Sequence, residues 1–332
     1  MTFRLLLSSP NPADGTSRYR AWSVLPKIRE IECYRAQGNI DWSHMMSMDA
    51  VFLQRAFIPD QVGLGNLAKE HGKPVITDYD DFLFAVQEDN PTHITYSQHA
   101  SKSNVELCCR MSDVLTVSTE ELKQKLLPFN ENIVVVPNAI DFDLVKPMSP
   151  EIPRNPLVVW RGGSSHQEDF REHTDAILDA HDKFPNYHFA FVGFNPWWIT
   201  KRMDQKRFRV LPFDGSYVNY MRNLCKLRGA IHIVPLADNV FNRCKSNISV
   251  LEATVAGSVV LAPDWEEFRT FGTIPYQDKA SFHGKLLELM ATPHDNLAAI
   301  NKPALEQVKQ YRNLDLMNKI RVETFRKYAG MR

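Results

Sequence analysis

"FNRCKSNISVLEATVAGSVVLAP", residues 241–263, runs from a polar lead-in through a small, apolar stretch to a glycine and a strand. Lys245 and Glu252 are seven positions apart in it. At about 3.6 residues per turn, one helix through both makes nearly two turns between them. The two side chains then share a face, about 10 Å apart along the axis. A lysine at a helix N-terminus opposes the helix dipole, at a cost of up to about 1 kcal/mol. A bound anion such as a phosphate removes that conflict. Glu252 sits among Leu251, Ala253, Val255 and Ala256. A partly buried carboxylate needs hydrogen-bond partners. A sugar diol supplies two, and an internal arginine is the structural alternative. Gly257 ends the helix, and "SVVLAP" follows as a strand.

The same alternation extends in both directions. In the first half, "FRLLLS", "AVFLQ", "PVITDYD", "DVLTVS" and "NIVVVPN" are short apolar runs of the kind buried parallel strands show. Helices are expected between them at Ser17–Arg29, Asp60–His71, Ala100–Met111 and Thr119–Leu127, with Asp60, Gly72 and Pro128 as start and stop signals. "KPMSPEIPRNP" then carries Pro147, Pro150, Pro153 and Pro156 and reads as a stiff linker. A second series follows: "PLVVW", a helix over Asp169–Phe184, "YHFAFVG", "RFRVLPF", a helix over Ser216–Leu227, "AIHIVPL" and the quoted segment. Helices near Ala280–Met290 and Pro303–Lys327 close the chain. The expected class is α/β, with two doubly wound Rossmann-like domains facing a central cleft. Their bounds are 1–146, a linker at 147–156, 157–302, and a terminal helix over 303–332 that crosses back to the first domain.

Composition narrows the classes. A chain of 332 residues suits two domains better than one core. Hydrophobic residues at 44% and charged residues at 23% are those of an ordinary globular protein. Lys and Arg number 39, as do Asp and Glu, so no global basic footprint for nucleic acid exists. Five cysteines without a CxxC exclude a disulfide framework and fit a reducing cytoplasm. No apolar run approaches the roughly 20 residues of a membrane span, and the first apolar run is too short for a secretion signal.

Several segments carry candidate chemistry. In "RGGSSHQEDF", Arg161 ends a strand, Gly162 and Gly163 let the backbone approach a ligand, and Ser164, Ser165 and the following helix offer donors to an anion. A tight turn capped by Ser165 explains the same residues. The pattern is neither GxGxxG nor a P-loop, so a dinucleotide enzyme or ATPase is not supported. His166 lies close enough to touch phosphate or sugar, whereas His173 reads as a core or surface residue. "DYDD" places Asp78, Asp80 and Asp81 after a strand, to bind a metal, act as a base, hold sugar hydroxyls or cap a helix. Gly15, Arg18, Tyr19 and Arg20 line an acceptor site or begin an amphipathic helix. Trp197 and Trp198 read as packing residues. Lys201–Arg209 holds five basic residues in nine and touches phosphates or simply faces water.

Taken together, "KSNISVLEATVAGSVVLAP", "RGGSSHQEDF", "VVVPNAIDFDLVKP" and "SSPNPADGTSRYR" resemble, in order and over most of the chain, the GT-B glycosyltransferases of the glycosyltransferase 4-like group. The wording of "DYDDFLF" and "GGSSHQED" resembles a bacterial and bacteriophage branch of that group. The resemblance implies transfer of a sugar from a nucleotide-diphosphate sugar to an acceptor hydroxyl, with retention, and without a required metal or cofactor. It makes Glu252 the ribose-binding carboxylate, and Arg161 and Lys245 the cations facing the diphosphate. Eight positions before Glu252, where the family pattern carries another glutamate, stands Cys244. Asp238, Asn239 and Phe241 are the local substitutes expected at the donor sugar. The acceptor is a glycan or a hydroxymethylated pyrimidine in DNA. The non-enzyme alternative is a nucleotide-sugar-binding scaffold on the same fold.

Overall fold

The computed structural model describes residues 2–11, 14–36, 45–149 and 151–332; Pro150 of the expected linker lies outside them. Among the described residues the strands form two six-stranded sheets. The first contains β1 (Phe3–Ser8), β2 (Ile31–Arg35), β3 (Ala50–Gln54), β4 (Val75–Tyr79), β5 (Val114–Val117) and β6 (Ile133–Val135), in the order β2-β1-β3-β4-β5-β6. The second contains β7 (Asn155–Arg161), β8 (His188–Val192), β9 (Phe208–Leu211), β10 (Gly229–Ile233), β11 (Val259–Pro263) and β12 (Ile274–Tyr276), in the order β12-β11-β10-β7-β8-β9. Every pairing is parallel. Strands β3, β4, β5, β10 and β11 are buried at every residue, because helices cover both sheet faces.

Strand order locates the site. It reverses between β1 and β3 in the first sheet and between β7 and β10 in the second. Loops leaving such neighbours in opposite directions open a crevice at the carboxyl ends of the strands.

Four helices matter below: α1 (Tyr217–Leu227), α2 (Ile248–Val255), α3 (His294–Tyr311) and α4 (Leu314–Tyr328). The helix expected over Pro303–Lys327 is instead two, with Pro303 inside α3. Asn313 accepts a hydrogen bond from the Leu316 N–H at 2.8 Å and starts α4 afresh. The break redirects the chain. Ala304, Leu305 and Val308 of α3 pack in the second sheet's core. Leu314, Val322 and Phe325 of α4 pack with Phe3 and Phe52 of the first.

Other elements also depart from expectation. Strands β2 and β12 were not expected; both are edge strands, short or charged, so they lack the apolar run of a buried strand. The helix expected over Ser17–Arg29 is a short turn at Gly15–Ser17, a π-turn at Arg18–Trp22 and a 3-10 turn at Leu25–Lys27. The helix expected over Asp169–Phe184 divides into Gln167–Arg171 and Thr174–Lys183.

The π-turn is anchored by its central arginine. Arg20 is fully buried and reaches both oxygens of Asp78, from Nε at 3.0 Å and from Nη2 at 2.7 Å. Its Nη1 donates to the Val136 carbonyl and to Asn138 Oδ1. Asp78 also accepts from Thr116 Oγ1 at 2.6 Å. Replacing Arg20 by Met keeps the aliphatic stem but leaves a buried carboxylate without its countercharge. Urea unfolding of Arg20→Met is expected to show a loss of about 3–5 kcal/mol.

Candidate functional site

Loops from the carboxyl ends of both sheets line one cavity of about 330 Å³. On the second sheet's side, β7 ends in Arg161 and α2 presents Glu252. A Cβ at position 162 would lie 2.7 Å from the Trp160 ring, so glycine lets the chain turn closely past it. Glu252 is 2% exposed. Arg161 Nη2 lies 2.7 Å from its Oε2, and the Tyr220 hydroxyl of α1 donates to the same oxygen at 2.9 Å. The Tyr19 hydroxyl, from the loop after β1, donates to Oε1. Burial and the Glu252 charge push both tyrosines well above the ordinary phenol value, so they remain donors. Burial opposes the Arg161 charge, but Glu252 and its neighbours outweigh it and raise the guanidinium. Arg161 Nε is buried without a hydrogen-bond partner.

Lys245 reaches the same cavity by a different route from the expected one. A one-turn helix, Val240–Arg243, precedes it, and α2 begins only at Ile248. Lys245 therefore lies in the intervening turn. Asparagines make that turn. Asn239 caps the short helix, and the Asn242 side chain holds Asp169 Oδ1 at 2.6 Å and the Ala237 carbonyl. The Asn247 side chain holds the Glu267 carbonyl and Thr270. Lys245 Nζ lies over the Phe241 ring and 3.6 Å from Asp81 Oδ1. Cys244 faces away from the cavity, packed in the first sheet's core, and its carbonyl accepts from Thr119 Oγ1 at 2.9 Å.

The first sheet's wall is a charge cluster. Arg55 follows β3 with a left-handed φ of 50° and sits between Asp80, at 3.6 Å, and Asp81. Thr16 Oγ1 donates to Asp80 Oδ2 at 2.8 Å. Burial pushes Asp80 up to about 6 against the pull of Arg55. Burial also raises Asp81, but Lys245, Arg55 and His166 outweigh it and hold this carboxyl below the ordinary range. Among the described residues, no group of three or more His, Cys, Asp or Glu side chains is arranged to hold a metal ion.

Of the residues singled out in the sequence, Gly15, Arg18, Tyr19, Asp80, Asp81, Arg161, His166, Phe241, Lys245 and Glu252 line this cavity. Arg20 borders it, with its guanidinium engaged by Asp78, Val136 and Asn138. Gly162, Gly163, Ser164, Asp238 and Asn239 are not on its wall, where Ser165 takes the loop's place. Asp238 is instead paired with Arg243 at 2.5 Å. His166 Nδ1 meets Asp169 Oδ2 at 2.9 Å, and burial lowers its pKa. His173 is in the core against Phe282, and Trp198 is buried while Trp197 is exposed. Sequence reading missed Arg55, Tyr220 and Asp169. Arg55 carried a signal, since it directly follows the run "AVFLQ"; the tyrosine and the aspartate carried none.

No protein-family model matches the chain, and no curated protein matches its sequence. Solved structures do match. HepE from Anabaena, in complex with UDP and glucose, superposes with a TM-score of 0.68 over 98% of this chain and 100% of its own, at 15% identity. An E. coli trehalose-6-phosphate structure bound with UDP-2-fluoro glucose gives 0.64 over 97% and 98%, at 9% identity. The chain has the GT-B fold. TarM from S. aureus, in complex with fondaparinux, alpha-GlcNAc-glycerol and UDP, gives 0.62 at 12% identity. This chain aligns over 83% of its own length to 56% of TarM. The GT-B expectation from sequence is therefore met at the level of fold.

The raised Asp80 carboxyl has a consequence for stability. A carboxyl whose folded pKa lies above its unfolded value keeps its proton longer when folded, so stability falls as pH rises between the two values. Asp80 thus contributes a fall in stability from near pH 4 through about 6, opposite in sign to the contribution of the buried histidines His173 and His232, so wild type is expected to lose stability relative to Asp80→Asn across that range, read by chemical denaturation of both proteins.

Proposed function

We propose that this GT-B protein is a glycosyltransferase that uses a nucleotide-diphosphate sugar. The observation that carries this reading is the convergence of Arg161, Lys245 and Glu252 on one cavity at the β7/β10 crevice. Arg161 and Lys245 offset the charge that builds on the diphosphate as the anomeric C–O bond breaks. Glu252 receives the ribose hydroxyls. The half over 157–302 thus holds the donor, and the half over 1–146 presents the acceptor beside Arg18 and Asp80. Asp80, held by Thr16 and Arg55, accepts a hydrogen bond from the incoming hydroxyl. In this reading the cations do the work that a metal does elsewhere.

A glycan acceptor is favoured over DNA. The basic stretch Lys201–Arg209 leads into the amino end of β9, whereas the cavity lies at the carboxyl ends of the strands. It is badly placed to hold phosphates beside the reacting centre. The sequence resemblance favours retention of anomeric configuration, and NMR of the product's anomeric proton tests it.

Thermal-shift measurements with UDP-, GDP- and ADP-sugars are expected to identify a donor that raises Tm, and release of its nucleotide on turnover marks an enzyme rather than a binding scaffold. Lys245→Ala is expected to lower turnover about a hundredfold. Glu252→Gln is expected to weaken nucleotide binding about tenfold. No response to any nucleotide sugar, with Lys245→Ala indistinguishable from wild type, sinks the reading.

A further inference from the structure

The two side chains assigned to the donor's ends are each held by the opposite half of the molecule. Tyr19 places a hydroxyl on Glu252, and Asp81 places a carboxylate 3.6 Å from Lys245 Nζ. These groups have the chemistry of the ligand itself. A phenol O–H on a carboxylate repeats what a ribose O–H does there, and a carboxylate beside a lysine repeats a phosphate oxygen. Resting on the donor reading above, we propose that Tyr19 and Asp81 set donor affinity by occupying the two ends of the nucleotide seat, so that a nucleotide must displace both.

Both groups are firmly supported from behind. Tyr19 belongs to the π-turn and directly precedes Arg20, which is fixed to Asp78. Its ring meets Tyr217 edge-on at 5.2 Å between centroids. Asp81 is held on its other oxygen by Arg55. Further contacts tie the halves at the same turn: Asn138 Nδ2 donates to Ser246 Oγ at 2.7 Å, and Thr119 to the Cys244 carbonyl. Displacement therefore acts on an interface as well as on two side chains. Nucleotide entry exchanges protein–protein contacts for protein–ligand contacts, which lowers the net gain on binding.

The two arms separate with two probes. Ribonucleoside diphosphates (UDP, GDP and ADP) engage both ends, whereas inorganic pyrophosphate engages only the cation end. Affinities by titration calorimetry are expected to rise about tenfold for the responsive ribonucleotide in Tyr19→Phe, with pyrophosphate unchanged. Asp81→Asn is expected to tighten both probes. The double variant is expected to multiply the two gains on the ribonucleotide. Each substitution removes a hydroxyl or a charge with little change of shape, and the Tyr19 arm stands without the Asp81 arm if the latter variant fails to fold. Equal or weaker ribonucleotide binding in Tyr19→Phe overturns the proposal while leaving the donor reading intact. If no ribonucleotide binds wild type or either variant, the donor reading falls, and this inference with it.

Discussion

The buried pair of Arg20 and Asp78 is the constraint on which the cavity depends. It joins the loop after β1, the carboxyl end of β4 and the segment after β6 at a single point. Tyr19 immediately precedes the arginine, and Asp80 and Asp81 closely follow the aspartate. Fixing the pair therefore positions Tyr19, Asp80 and Asp81 on the first-sheet wall. Desolvating two charges is costly, and a buried ion pair is weak evidence of stabilisation. Here every oxygen and nitrogen of the pair has a partner, including Thr116 and Asn138, so its cost is offset by hydrogen bonds. What it contributes is position.

The cavity is a set of matched charges rather than an open basic patch. Arg161 faces Glu252, Lys245 faces Asp81, and Arg55 lies between Asp80 and Asp81. Each cation is thus held in place by a carboxylate of the protein itself. The tyrosines around Glu252 stay protonated because burial and the nearby carboxylate both disfavour phenolate. The site is thus rich in donors aimed at anions and in carboxylates aimed at hydroxyls, the complement of a sugar joined to a diphosphate.

How far the sequence could be read follows from where each element lies. The central strands were legible because burial on both faces requires continuous apolar runs. Strands β2 and β12 were not, because an edge strand is under no such demand. The long terminal helix reads as one because helix-forming residues flank Asn313 on both sides; the asparagine is a local cap signal, but the turn it caps is fixed by packing, with α3 in one core and α4 in the other. Composition and periodicity record what each residue prefers, not which neighbour it meets.

The stretch at 241–263 shows the division most clearly. Its sequence determined a lysine and a glutamate near each other, a glycine at a φ of 87°, and a buried strand behind them, since these follow from local chemistry. Sequence likewise made the fold class readable, because strand and helix alternate along the whole chain. Only the tertiary structure decided that Asn242 and Asn247 would interrupt the helix, by offering them Asp169, Ala237, Glu267 and Thr270 as partners. Only it turned Cys244 into the other half's core. And only it brought Tyr19 to Glu252 across 233 positions of sequence, a contact that no local pattern encodes because its two partners are positioned by different sheets.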